Sequence, residues 1–215
     1  MRSFEHSLEA VDWAGLVDTL TTEGWVRLEG AVGGRACTRL VGAAPFTWQD
    51  SPDQVGRVRQ AGMVCGARVD EAPPVVKGLA DVIRDSINAA RPFNVAKLPA
   101  FNEAQWGRAR FDGSMFITPH RDPPGAGGVI AITTLYGHAP FRVWHHRADP
   151  RLTGSESAPF AQWTTADGDL VILTGRGWPH PESVCPVHEV GSPPDGERMI
   201  LTLRHNRGGP GEDWL

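Results

Sequence analysis

Apolar positions along the chain change their period near residue 93, and the two periods predict two kinds of element. In DWAGLVDTLTTEG, residues Trp13, Leu16, Val17 and Leu20 recur at i, i+3, i+4 and i+7, the spacing that gathers side chains on one face of a helix. Asp12 stands where an N-cap accepts a backbone N–H, and Gly24 where the last turn closes in left-handed geometry. A second stripe, Val76, Leu79, Val82, Ile83 and Ile87, follows Pro73-Pro74 and ends near AARPF; a first-turn proline loses no helical hydrogen bond. Between the stripes, residues 45–74 show weak periodicity and many breakers. They read as loop with one strand or hairpin, of a length often used for lids or binding segments.

Beyond residue 93 the pattern becomes short apolar runs cut by turn residues. Eight strands are predicted: Gln105 to Phe111, Met115 to His120, Gly128 to Tyr136, Phe141 to His145, Phe160 to Thr164, Asp169 to Thr174, Val184 to Val190 and Arg198 to Arg204. Strands at this spacing predict a jelly roll or a related double-sheet barrel. The last run, RMILTLR, is the most informative. Met199, Leu201 and Leu203 share one face and suit packing against the helices, which turns Arg198, Ile200, Thr202 and Arg204 toward the barrel interior. A guanidinium buried there requires an anionic partner, from the protein or from a ligand.

Composition narrows the picture. At 215 residues one domain is expected, with residues 1–92 mostly helical or loop and 93–215 forming the β core. The 25 glycines and 18 prolines fit many turns. A net charge of −4 and the absence of a basic run disfavour nucleic acid as partner. MRSFEHSLEA has no basic start leading into an apolar region, and no long apolar run follows; a cytoplasmic protein without a membrane span is expected. Cys37, Cys65 and Cys185 are odd in number and lack a CxxC, so neither a disulfide framework nor a thiolate zinc site is implied.

Candidate chemistry begins with ITPHRDPPGAGG. In an extended segment His120 and Asp122 project to one face, and Pro119 biases Thr118 toward that geometry. An H-x-D alone is common on surfaces. Downstream, CPVHEVGSPPDGERMILTLR places His188 on one short strand and Arg198 on the next, ten positions later. His120, Asp122 and His188 then supply two imidazoles and a carboxylate, the facial set that binds non-heme Fe(II) and leaves the opposite face open. Arg198 supplies a fork for a carboxylate near the metal. His180, between prolines in GWPHPES, competes with His188; His145 and His146 read as rim residues. Zinc with a bound water on the same ligands, and a non-catalytic β-sandwich binding module, remain alternatives.

HRD, GDLVIL and HEVGSPPDGERMILTLR, across residues 93–206, resemble the Fe(II)/2-oxoglutarate-dependent oxygenases, and the closing R-x5-R looks like their AlkB branch. The resemblance implies an α+β fold, a cupin-like double-stranded β-helix packed by N-terminal helices. It implies Fe(II), 2-oxoglutarate and O2, with release of succinate and CO2. It also implies that Arg198 holds the far carboxylate of 2-oxoglutarate and that Arg204 helps near the metal. The branch's N-x-Y motif falls on Ala109 and Phe111 here, so oxidative demethylation of nucleic acid is the alternative and oxidation of a small molecule, most simply hydroxylation, the expectation. Retention of Asp122 disfavours halogenation, since related halogenases lack this carboxylate, and leaves hydroxylation, desaturation or another oxidative rearrangement. Tyr136 is a further candidate for 2-oxoglutarate, and Trp144, Trp178 and Arg110 are candidate substrate contacts. Residues 46–72, GHAPFRVWHH and GRGWPHP are expected to shape the substrate pocket.

Overall fold

A computed structural model describes residues 8–144 and 158–208. Both predicted helices form. Helix α1 (Trp13–Glu23) starts at Asp12, whose carboxylate accepts from the Gly15 N–H at 3.1 Å, and ends at Gly24 with φ of 83°. Helix α3 (Pro74–Ala90) carries its proline in the first turn and buries Val76, Leu79, Ile83 and Ile87. A third helix, α2 (Gly34–Val41), was not foreseen: it buries only Ala36, Cys37 and Leu40, a stripe too small to register as periodicity.

Thirteen strands are described: β1 (Trp25–Leu28), β2 (Gln49–Asp50), β3 (Gln54–Val55), β4 (Val58–Ala61), β5 (Met63–Arg68), β6 (Glu103–Arg108), β7 (Phe116–His120), β8 (Ala126–Gly137), β9 (Ala139–Val143), β10 (Ala161–Thr165), β11 (Leu170–Thr174), β12 (His188–Val190) and β13 (Arg198–Asn206). They make two antiparallel-paired sheets, ordered β1-β11-β8-β13-β6-β5-β2 and β10-β9-β12-β7-β4-β3. With the helices this is an α+β double-stranded β-helix. All eight predicted strands are present, in β6 to β13.

Two differences matter for the site. The first is the N-terminal part, expected to be mainly helix and loop, which also contributes β1 to β5. Strand β5 is hard to detect because Val64 and Gly66, on its cavity-side face, line an open cavity rather than an apolar core. The second concerns boundaries. The predicted 105–111 strand ends at Arg108, since Arg110–Gly113 closes a turn in which Gly113 has φ of 79°. The 184–190 strand shrinks to His188–Val190: Pro186 has no N–H to give a ladder, and the Cys185 and Pro186 carbonyls serve the Arg121 and His188 side chains.

On β13 the sequence-derived alternation holds. Met199, Leu201 and Leu203 join the core shared with all three helices, while Ile200 packs with Ile130, Ile132 and Phe141 between the sheets. Cys37, Cys65 and Cys185 are buried free thiols. Among the described residues, no helix is long and apolar enough to cross a membrane.

Candidate metal centre

Pairing of β12 with β7 sets His188 directly opposite His120. Asp122 follows two residues beyond His120, where β7 has ended. One ligand atom from each of the three residues lies within 4.8 Å of the others, close enough to share one ion. The rings are oriented in advance. Nδ1 of His120 lies 2.9 Å from the Thr118 carbonyl, and Nδ1 of His188 lies 3.1 Å from the Pro186 carbonyl. A carbonyl can only accept, so each Nδ1 carries a proton, and it is the Nε2 of each neutral ring that would offer its lone pair to a metal. Phe141 stacks on His188 at 5.9 Å with an interplanar angle of 8° and fixes that ring's plane.

Both oxygens of Asp122 have charged or polar neighbours. Its Oδ2 is 3.5 Å from His188 Nε2 and accepts from the Cys185 thiol at 3.5 Å, while Oδ1 faces Arg204 Nη1 at 3.9 Å. Burial alone would raise its pKa, but His188, His120 and Arg204 together hold it below the usual carboxylate value. The Cys185 thiol is pushed well upward, by burial first and then by Asp122, and so remains a donor. Arg121, between the ligands in sequence, donates to the Cys185 carbonyl and ties this turn to the strand carrying His188.

The His120 imidazole is lowered to about 4, by burial first and then by His188. It is therefore neutral and ready to ligate at neutral pH. Because its folded value lies below the unfolded value of about 6.5, the unfolded chain binds the extra proton as pH falls. The melting temperature of metal-free protein should therefore drop as pH is lowered from about 6.5 to 4. In His120→Gln this part of the decline should be smaller; an identical profile would show that another group is responsible.

His120 and Asp122 line a cavity of ≈ 920 Å³, with Gln105 and Arg204 on one wall and Gln60 and Ile117 on the other. His188 sits behind them, 3% exposed. Thr47, Gln49, Ser51, Val55 and Val58 form part of the wall, so the irregular 46–72 region does shape this space. Described residues of GHAPFRVWHH and GRGWPHP do not border it, and His145 and His146 lie outside the described residues.

The two interior arginines have different surroundings. Arg204 is paired with the buried Glu103, through Nε at 2.8 Å and Nη2 at 2.6 Å. Arg198 is 1% exposed, and its Nε, Nη1 and Nη2 have no hydrogen-bond partner among the described residues. Burial lowers its pKa to about 10.

Other candidates are set apart. A bulge in β8 pairs Tyr136 with Met199 and packs it on the helix-side core, away from the face that carries Arg198. Trp178 is buried in that same core, with its indole N–H on the Ala96 carbonyl at 2.8 Å. Trp144 is buried beside the turn before His188, its backbone N–H bonded to the Val187 carbonyl at 2.8 Å. Arg110 ties down the cavity segment from outside, through Asp50 and Asp53 at 2.9 Å each. His180 is absent from the ligand cluster and lies in a turn with Ser183.

Sequence reasoning missed Glu103 and Gln105. The sequence pattern starts their strand at Gln105, two residues late, so Ala109 and Phe111, the positions matching N-x-Y, lie beyond its end at Arg108. The positions of β6 actually opposite Arg204, Thr202 and Ile200 are Glu103, Gln105 and Gly107. The alternating EAQWGR run was the available signal.

Solved structures share this architecture at low identity. A Pseudomonas putida prolyl-4-hydroxylase matches with a TM-score of 0.62 and 16% identity, over 91% of this chain and 98% of that one. A Trichoplax adhaerens prolyl hydroxylase, in complex with a hypoxia inducible factor peptide fragment, matches with 0.60 and 13% over 95% and 92%. The non-heme alpha-ketoglutarate-dependent epimerase SnoN, from nogalamycin biosynthesis, matches with 0.59 and 15% over 89% and 82%. No protein-family model and no curated protein matches the sequence. The fold is thus that of the 2-oxoglutarate- and Fe(II)-dependent oxygenases. On it stands a His-Asp-His cluster of the kind that holds non-heme iron.

Proposed function

We propose that this protein is an Fe(II)- and 2-oxoglutarate-dependent dioxygenase that hydroxylates a small molecule. The observation that carries the reading is Arg198. A guanidinium at 1% exposure with three nitrogens unpartnered among the described residues is costly unless an anion completes it. It stands on the interior face of the strand whose other end, Arg204, reaches the metal ligand Asp122. A dianion with one carboxylate at the metal and the other on Arg198 would answer both needs. The donor set fits Fe(II): two imidazoles and one carboxylate, with no thiolate among them.

His120, Asp122 and His188 would hold the metal, and Arg198 the far carboxylate. Thr202 and Gln105, cross-strand partners between the two arginines, offer a hydroxyl and a carboxamide to the body of the cosubstrate, while Ile132 and Ile200 keep water from its flank. When bound, the iron supplies oxidative decarboxylation of 2-oxoglutarate by O2, giving succinate and CO2 coupled to oxidation of a substrate C–H bond. Asp122 keeps the position that a halide would need, which favours hydroxylation over halogenation. The cavity volume of ≈ 920 Å³ falls in the range of small-molecule sites, about 300–1,000 Å³. A peptide is the second reading, because β2 and β3 at the mouth are open sheet edges that an extended chain could join.

Anaerobic addition of Fe(II) and then 2-oxoglutarate should produce a visible metal-to-ligand charge-transfer band. Succinate release, screened against metabolites and against peptides, should require O2 and single out the substrate class. Absence of the band would remove the proposal. Turnover without O2 would point instead to a hydrolytic zinc enzyme.

A further inference from the structure

We infer that Glu103 is a positioning residue of the metal centre, acting through Arg204 to hold Asp122 as a one-oxygen ligand. The inference rests on the metal-site reading above and adds a residue outside the ligand set. Glu103 is 1% exposed on the cavity side of β6, directly across from Arg204 on β13. Its Oε1 takes both Nε and Nη2 of Arg204, at 2.8 and 2.6 Å, which uses one whole edge of the planar guanidinium. The remaining tip, Nη1, is thereby aimed at Asp122 Oδ1, 3.9 Å away.

Glu103 cannot swing away, because Oε2 accepts from Asn206 Nδ2 at 3.1 Å, and the Asn206 backbone N–H is fixed by Asn102 Oδ1 at 2.7 Å. Its charge cancels that of Arg204, so the pair adds direction to the site rather than net positive charge. The consequence falls on the two oxygens of Asp122. Oδ2 lies on the His188 side, 3.5 Å from Nε2, while Oδ1 lies on the guanidinium side, 3.9 Å from Arg204 Nη1. A carboxylate free to rotate can present both oxygens to a cation and occupy a position a chelating cosubstrate needs. Held as here, it presents one.

The inference also separates two roles for Arg204. If that arginine mainly served the cosubstrate, Glu103 would compete for it, and neutralising Glu103 would strengthen cosubstrate binding. As a positioning residue, Glu103 should instead matter before any cosubstrate is present. The test is anaerobic titration of the metal-free protein with Co(II) alone, read by its visible d–d absorption, for wild type, Glu103→Gln and Arg204→Lys, with circular dichroism to check the fold. Glu103→Gln should bind Co(II) about 10- to 100-fold more weakly, the usual cost of losing a partner that orients a ligand, with an altered d–d envelope. Arg204→Lys keeps the charge but loses the fork, and should alter the envelope in the same direction; it carries the test if Glu103→Gln does not fold. Wild-type affinity and envelope in a folded variant would overturn the inference and leave the metal centre standing. Failure of wild type to bind Co(II) at His120, Asp122 and His188 would remove the metal-site reading, and this inference with it.

Discussion

Arg198→Met should bind 2-oxoglutarate about 100-fold more weakly than wild type and yet melt at a higher temperature when no cosubstrate is present. The two effects share one cause. In the ligand-free protein the guanidinium is buried to 1% exposure with none of its nitrogens bonded among the described residues. A buried charge without a partner costs several kcal/mol, and methionine fills a similar volume without that cost. With the cosubstrate bound the balance reverses, since a buried, hydrogen-bonded charge pair is worth about 2–5 kcal/mol when one partner is removed, and about 1.4 kcal/mol is tenfold in affinity. Differential scanning fluorimetry without ligand, and titration of 2-oxoglutarate into the anaerobic Fe(II) protein, measure the two halves. A lower melting temperature with unchanged cosubstrate affinity would mean that Arg198 is an ordinary core residue whose partners lie outside the described chain.

Asp122→Ala should lose Fe(II) binding and, with it, the charge-transfer band. Asp122 is the one anion of the triad, and its loss leaves two neutral imidazoles facing a dication. The drop in affinity should exceed the about 10- to 100-fold typical of losing a partner outside the ligand set, so Asp122→Ala should be more severe than Glu103→Gln. Anaerobic Fe(II) titration followed by absorption spectroscopy measures it. Retention of the band would show that the metal sits elsewhere.

The strand-rich C-terminal part was legible because its core faces alternate or run continuously apolar. In β13, Met199, Leu201 and Leu203 alternate with residues of the other face, and in β11 all five positions are buried. Strands β2 to β5 were legible only as one strand or hairpin within a loop, which the β3–β4 hairpin matches in kind. Gln49, Gln60 and Arg68 on these strands line an open cavity of mixed polarity rather than an apolar core, so the rule that inward means apolar fails there. The triad was readable from H-x-D together with a histidine on a strand ten residues before a buried arginine. Tyr136 shows the limit of such reading: the bulge at Leu135 turns it to the other face of the sheet, and nothing in TTLYGH announces an extra residue in a ladder.

By itself, then, the sequence determined which residues could carry chemistry, His120, Asp122, His188 and Arg198, and that a β core would bring strands together around them. Those are local facts: an alternating strand has two faces, and residues two apart share one. Only the tertiary structure decided that Glu103 would stand across from Arg204, that Cys185 would give its thiol to Asp122, and that Arg198 would have no anion among the described residues while Arg204 was given one. Cross-strand neighbours are fixed by register, and register is set by the packing of both sheets and the bulges in β8. No single strand encodes it, because each face of β13 would read the same opposite any other strand.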